Sequence, residues 1–175
     1  MKVLNIHRRL VRGSRRDLGA LIDSLGSPAD RLWPRRNWPR LVLDRPLAVG
    51  AVGGHGPIGY VVDAYAPGNS VRCRFTAPKG FHGWHGFAVL DAAAGFCTLE
   101  HRLEMTTQGL ARLSWPLLYG RLHDALIEDA LSQAQVALGH EPDAVAWTAV
   151  VRVLRRLARR RSTHRPSIDR GTHAG

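Results

Sequence analysis

Three observations predict an α+β fold in which a curved antiparallel sheet of about seven strands wraps around a long C-terminal helix. The segment 116–138 (PLLYGRLHDALIEDALSQAQVAL) carries apolar residues at helical spacing along its whole length. Between residues 40 and 105, short apolar stretches alternate with Gly- and Pro-punctuated turns, as consecutive strands of a meander do. Such a sheet has one apolar face to cover, and 116–138 is the element long enough to cover it.

The chain opens on a strand-like stretch, 3–11 (VLNIHRRLV), with Val3, Asn5, His7 and Arg9 on one face and Leu4, Ile6, Arg8 and Leu10 on the other. Gly13 and Ser14 break it, and Ser14 can cap a helix running through Asp17, Leu18, Leu21, Ile22 and Leu25. Gly26, Ser27 and Pro28 end that helix and start a second short one over 28–32. The WPRRNWP run at 33–39 is a connecting loop, because each proline pushes its predecessor out of the helical region. Brief strands are expected at 41–43 and 47–52, with GGHGP (53–57) as a turn. IGYVVDAY (58–65) and VRCRFT (71–76) form a hairpin through APGN, with Val71, Cys73 and Phe75 inward and Arg72, Arg74 and Thr76 outward. After a loop at 77–83 come strands 84–90 and 96–105, joined by DAAAG (91–95).

In the long helix, Pro116 suits the first turn and Gly139 the left-handed position just past the end. Tyr119, Leu122, Leu126, Ala130 and Ala137 form its apolar stripe, widened by Ile127, Leu131, Ala134 and Leu138. Arg121, Asp124, Glu128, Ser132 and Gln135 fall on the opposite side, so Asp124 and Glu128 are expected to face outward.

The formal net charge is +11, but eight arginines and one acid, Asp169, lie in 152–175, so the body is only mildly basic. Only Lys2 and Lys79 of the 25 basic residues are lysines, a usage that speaks weakly for nucleic acid. The N-terminus is broken by charge from Lys2 onward and no apolar run reaches spanning length, so a cytoplasmic protein is expected. Cys73 and Cys97 lack CxxC spacing and read as small buried thiols; neither a disulfide framework nor a zinc site is indicated, and no cofactor is expected. The glycine-rich stretch GAVGGHGPIG (50–59) precedes a strand and lacks the Lys-Ser/Thr of a phosphate loop.

In its element order the chain resembles the SRPBCC superfamily, the START-like or helix-grip fold of polyketide cyclases, aromatases and lipid-transfer domains. The resemblance rests on GPIGYVVDAYAPGNSVRCRFTAP (56–78), GWHGFAVLDAAAGFCTLEHRLEM (83–105) and WPLLYGRLHDALIEDAL (115–131), and covers residues 1–139. It implies a hydrophobic cavity between sheet and helix, and a lipid or polyketide-like aromatic as ligand. It carries over no catalytic residue.

The last hairpin supplies the candidate site. His85, Phe87 and Val89 share one face, as do Cys97, Leu99, His101, Leu103 and Met105; Glu100, Arg102 and Glu104 on the other would be costly inside. A turn centred on Ala93 pairs His85 with His101, and a slip of two residues makes them diagonal neighbours. Two facing imidazoles could anchor a carbonyl or phenol, or act as acid–base groups in a cyclase-type reaction; the plainer alternative is that they satisfy one another. The ligand-facing set is Tyr60, Phe75, His85, Phe87, Leu99, His101, Leu103, Leu122, His123 and Leu126. No third ligand stands near the pair at metal-binding spacing, so no metal is expected. His123 borders the apolar stripe and can either approach the cavity or pair with Asp124 or Glu128.

Beyond Gly139, HEPD (140–143) is a linker, and Asp143 can cap an appended basic helix extending to Arg161. Trp147, Val150, Val151, Leu154 and Ala158 line one side of it against Arg152, Arg155, Arg156, Arg159 and Arg160. An anionic membrane surface suits that helix through Trp147, Arg152, Arg155, Arg156 and Arg159; packing on the body with solvated arginines suits it equally, and nucleic acid or a protein partner ranks below both. Residues 140–161 therefore form an appended element, and 162–175 a disordered tail.

Overall fold

In the computed structural model, which describes residues 1–162 and the side chains up to residue 157, one sheet runs through the first part of the chain. Its strands are β1 (Lys2–Arg12), β2 (Val42–Leu43), β3 (Val52–His55), β4 (Ile58–Ala66), β5 (Ser70–Ala77), β6 (Phe81–Asp91) and β7 (Phe96–Thr107). They are antiparallel in the order β1-β7-β6-β5-β4-β3-β2, so only β1 departs from a meander. Bulges at Gly59/Tyr60 and Val62/Ala64 interrupt the pairing of β4 with β5 and bend the sheet. The α+β helix-grip architecture is therefore the observed one. The expected disordered tail lies outside the described residues.

Helix α1 (Arg15–Asp23) begins as its sequence predicts. Ser14 and Asp17 form a capping box, and Leu18, Leu21 and Ile22 are buried over the sheet. At its far end the Asp23 carboxylate accepts from the Tyr65 hydroxyl (2.8 Å) and the Gly68 backbone N–H (2.9 Å), clamping the β4–β5 turn. The expected second helix at 28–32 is absent. Asp30 takes over as organiser, its carboxylate accepting from the N–H groups of Gly26, Leu32 and Trp33, and a turn closed by a side chain replaces the helical bonds. The WPRRNWP stretch is irregular as predicted, yet it buries Trp33 and Trp38.

Two further expectations change. The strand placed at 47–52 lies instead at Val52–His55, inside the supposed GGHGP turn. The glycines there serve close backbone approach: a Cβ on Gly53 would lie 2.0 Å from the Val42 carbonyl oxygen. The long helix starts earlier than Pro116. A short helix α2 (Ala111–Ser114) leads into a π-helical turn (Trp115–Tyr119) and then α3 (Gly120–Ala137). Pro116 has no N–H to give the ladder, and the widened turn accommodates it, with the Gly120 N–H reaching back to the Trp115 carbonyl. Gly139, at φ +80°, ends the helix as expected.

Inner faces of the strands alternate as the sequence indicates: Val71, Cys73 and Phe75 are buried, and Arg72, Arg74 and Thr76 exposed. Outer-face charges pair, with Arg8 to Glu100 at 2.6 Å and Arg72 to Asp63 at 2.9 Å. One apolar cluster joins Phe75, Phe81, Leu103, Met105, Ala111 and Trp115 and fastens α2 and the π turn to the sheet. Cys73 and Cys97 are free and buried.

The described chain divides into two compact units, 1–145 and 146–162 onward. In the first, Asp143 caps no helix. Its backbone N–H donates to Gln135 Oε1 (2.9 Å) and its carboxylate accepts from Gln135 Nε2 (2.8 Å), which ties it to the end of α3. The second holds α4 (Ala149–Ser162), where the Arg155 guanidinium sits 5.0 Å over the Trp147 ring. The side chain of Arg159 lies outside the described residues. No described helix is long and apolar enough to cross a membrane.

Gly19 fixes how closely α1 approaches the β4–β5 turn, since a Cβ there would lie 2.1 Å from the Gly68 carbonyl oxygen. Gly19→Ala is therefore expected to destabilise the protein by about 1–3 kcal/mol in chemical denaturation, despite alanine's better helix propensity.

Candidate functional site

Strand alternation and the pairing of β1 with β7 bring a row of imidazoles together between the sheet and α3. His7 on β1 stands directly opposite His101 on β7. His101 in turn faces Phe87 on β6, which places His85 diagonally. The direct His85–His101 pairing expected from a turn centred on Ala93 is thus shifted by two residues. Asp91 pairs with Cys97, Gly95 at φ +81° takes the left-handed position, and the turn centres one residue later. The diagonal arrangement keeps the rings in contact, with His85 Nδ1 3.4 Å from His101 Nε2.

From α3, His123 enters the same space. Ring centroids run from His7 to His123 (6.1 Å), His123 to His101 (5.0 Å) and His101 to His85 (5.6 Å). Beyond His85 stand Tyr60 (4.9 Å) and then His55, 6.1 Å from Tyr60. Aromatic rings fill the gaps: Phe75 stacks on His85, Phe87 meets His101 edge-on and Trp115 lies against His123.

Of the residues picked from the sequence, Tyr60, Phe75, His85, Phe87, His101 and His123 form this continuous group. Leu99, Leu103 and Leu126 are buried, with Leu103 in the neighbouring apolar cluster, and Leu122 is only half-buried. His7 and His55 were missed. The first lies on the strand whose sheet partner the sequence does not reveal, the second in a segment read as a turn.

Asp124 and Glu128 do not face away from the sheet as the helical pattern suggests. They turn onto β1. His7 Nδ1 donates to Glu128 Oε1 (2.6 Å), while His7 Nε2 lies 3.3 Å and Asn5 Nδ2 2.9 Å from Asp124 Oδ1. Arg9 completes the group, its Nη2 2.7 Å from Glu128 Oε2. Helix α3 thus carries an ionic edge where it crosses β1, and an imidazole, His123, beside it. His7, His123 and Asp124 each offer a donor atom, all within 4.8 Å of one another.

The two ends of the row differ electrostatically. Burial alone would lower the His7 pKa, but hydrogen bonds to Asp124 and Glu128 outweigh it and leave His7 raised. Burial would likewise raise Asp124; its contacts with His123, His7 and Asn5 hold it well below the usual carboxylate range. At the other end burial dominates, aided by repulsion from neighbouring imidazoles. It brings His55 and His85 down to about 3 and His101 well below its ordinary value. His123 is also lowered by burial, with Asp124 offsetting part of it. These four are neutral imidazoles at pH 7. Several of their polar atoms, together with the Tyr60 hydroxyl, are buried without a hydrogen-bond partner: His85 Nε2, His101 Nδ1 and both His123 nitrogens.

Solved structures of the same shape include norcoclaurine synthase from Thalictrum flavum, at 14% identity and a TM-score of 0.60 over 81% of this chain and 96% of that one. StfQ, the di-domain ARO/CYC of the steffimycin biosynthetic pathway, matches at 17% identity and 0.56, over 77% of this chain and 50% of that one. CalU16 from Micromonospora echinospora matches at 12% and 0.54, over 90% and 91% respectively. No family model and no curated protein sequence matches the chain. Likeness at these identities is likeness of fold: the chain has the helix-grip fold that these structures share.

The pKa directions fix a pH dependence. A base whose folded pKa is depressed contributes stability that is complete above its ordinary value of 6.5 and lost as pH falls toward the folded value. His7, raised, acts the other way: its contribution is complete below 6.5 and lost as pH rises past its folded value. The depressed set outnumbers it, so the thermal midpoint is expected to fall between about pH 7 and about pH 5. That slope should be shallower in His85→Phe, as measured by calorimetry across the range.

Proposed function

We propose that the protein binds a hydrophobic small molecule of aromatic character, bearing phenol or carbonyl groups, between its sheet and α3. The observation that carries this is the set of unpartnered buried polar atoms, Tyr60 Oη, His85 Nε2, His101 Nδ1 and the His123 nitrogens, among Phe75, Phe87 and Trp115. Each such atom costs about 1–3 kcal/mol when left unpaired. A ligand with polar groups spaced along a flat ring system recovers that cost and stacks on the rings between. A lipid with one polar end would satisfy fewer of them. The bound dopamine and hydroxybenzaldehyde named for a norcoclaurine synthase structure support an aromatic over an aliphatic ligand.

Neutral His85 and His101 suit this role, because each imidazole offers one donor and one acceptor. Cyclase-type acid–base catalysis by the pair is the weaker reading, since burial leaves neither with an imidazolium proton to deliver at pH 7.

Fluorescence titration with a hydroxynaphthalene, its unsubstituted parent and a long-chain fatty acid tests the proposal. The hydroxynaphthalene is expected to bind most tightly, and to lose about tenfold in affinity in His101→Phe while the parent hydrocarbon does not. Equal affinity of all three ligands, or no saturable binding, would sink it.

A further inference from the structure

We infer that His7, His123 and Asp124 form a binding site for a divalent transition metal such as zinc, at the end of the imidazole row where α3 crosses β1. The three donor atoms lie within 4.8 Å of one another. His7 Nε2 is 3.3 Å, and His123 Nδ1 3.7 Å, from Asp124 Oδ1. A tetrahedral ion with ligands at about 2.1 Å sets those ligands about 3.4 Å apart; the two distances to Asp124 already match that to within a few tenths of an ångström, and the two imidazole nitrogens, within 4.8 Å of each other, close by at most about 1.4 Å.

The surroundings point to a cation independently of that spacing. His7 Nδ1 donates to Glu128 Oε1 at 2.6 Å, which fixes the ring and leaves Nε2 aimed at Asp124. A carboxylate holding the remote nitrogen is the support that metal-binding histidines ordinarily have. Glu128 is itself held by Arg9 at 2.7 Å, and Asp124 by Asn5 at 2.9 Å. Both nitrogens of His123 are buried without a hydrogen bond, and so is Oδ1 of Asn5, whose Nδ2 donates to Asp124. His123 Nδ1 faces Asp124 Oδ1 at 3.7 Å, longer than a hydrogen bond, and a metal between the two would engage both.

Two imidazoles and one carboxylate favour zinc, cobalt or iron over calcium or magnesium. Three protein ligands leave a further coordination position open, and Asp124, with half its side chain exposed, gives the ion a path from solvent. The His101 ring lies 5.0 Å from that of His123, so a ligand in the row would stand beside one of the metal's own ligands. The site itself does not depend on the aromatic-binding proposal.

Cobalt(II) is the probe, added to the full chain and followed by visible absorption and calorimetry. One ion per chain is expected, with the intense absorption of a low-coordinate site. That absorption should vanish in Asp124→Asn, and the affinity should fall by about tenfold or more in Glu128→Gln, which alters support and not ligation. Adventitious binding at exposed histidines such as His82 would leave all three proteins alike, and that result, or no binding by the wild-type chain, overturns the inference. In the wild-type protein alone, bound cobalt should broaden the imidazole proton resonances of His7 and His123 while sparing His82; the reverse pattern also overturns it. Hydroxynaphthalene binding in the same samples separates the two proposals, since either can fail while the other stands.

Discussion

The unbroken pairing of β1 with β7, from Lys2 opposite Thr106 to Arg12 opposite Phe96, is the constraint on which the interior depends. It brings the first strand of the chain beside the last and sets His7 across from His101. It also turns Asn5, His7 and Arg9 toward the one helix that can cover them. Because side chains alternate strictly along a strand, a single-residue slip would expose all three and bury Leu4, Arg8 and Leu10 in their place. The polar character of the Asp124–Glu128 edge follows from this. A helix lying over Asn5, His7 and Arg9 must bring acceptors with it, or leave donors buried and unpaired.

The interior is consequently divided. On the β1 side, charge is matched with charge: Arg9 and His7 against Glu128 and Asp124, at 2.6–3.3 Å. On the side of β4 to β6, burial strips charge from the imidazoles, and apolar rings pack around them. Cys73, on the same wall, is pushed up to about 12 by burial and stays a thiol. Polar groups there can exchange hydrogen bonds but not net charge. His123 lies at the boundary, touching Asp124 on one side and His101 on the other.

The fold was legible in the sequence because its determinants are local: the capping box at Ser14, the alternation in VRCRFT, the APGN turn and the cap at Gly139. What escaped was set by contacts distant in the chain. The strand at Val52–His55 is glycine-rich because neighbouring backbones press on it, and sequence alone reads glycines as turns. Asp124 and Glu128 fit the solvent side of a helical wheel, and only the identity of the strand beneath shows why they are half-covered. His85 and His101 were found through strand alternation, with their register off by two residues. His7 could have been added had β1 been placed next to β7, since its face was already known.

The widened turn at Trp115–Tyr119 does more than accommodate a proline. A helix advances about 100° per residue, so a turn that spends one residue more than the regular helix resets the angular phase of everything after it. Trp115, packed into the apolar cluster upstream, and His123, set against His101 and Asp124 downstream, are each correctly aimed only with that phase offset between them. The helix therefore behaves as two rods joined by a vernier: its first part is clocked by the apolar cluster and its second by β1. Shortening the chain by one residue at the joint would leave both halves helical and point the chemistry of the second away from the sheet.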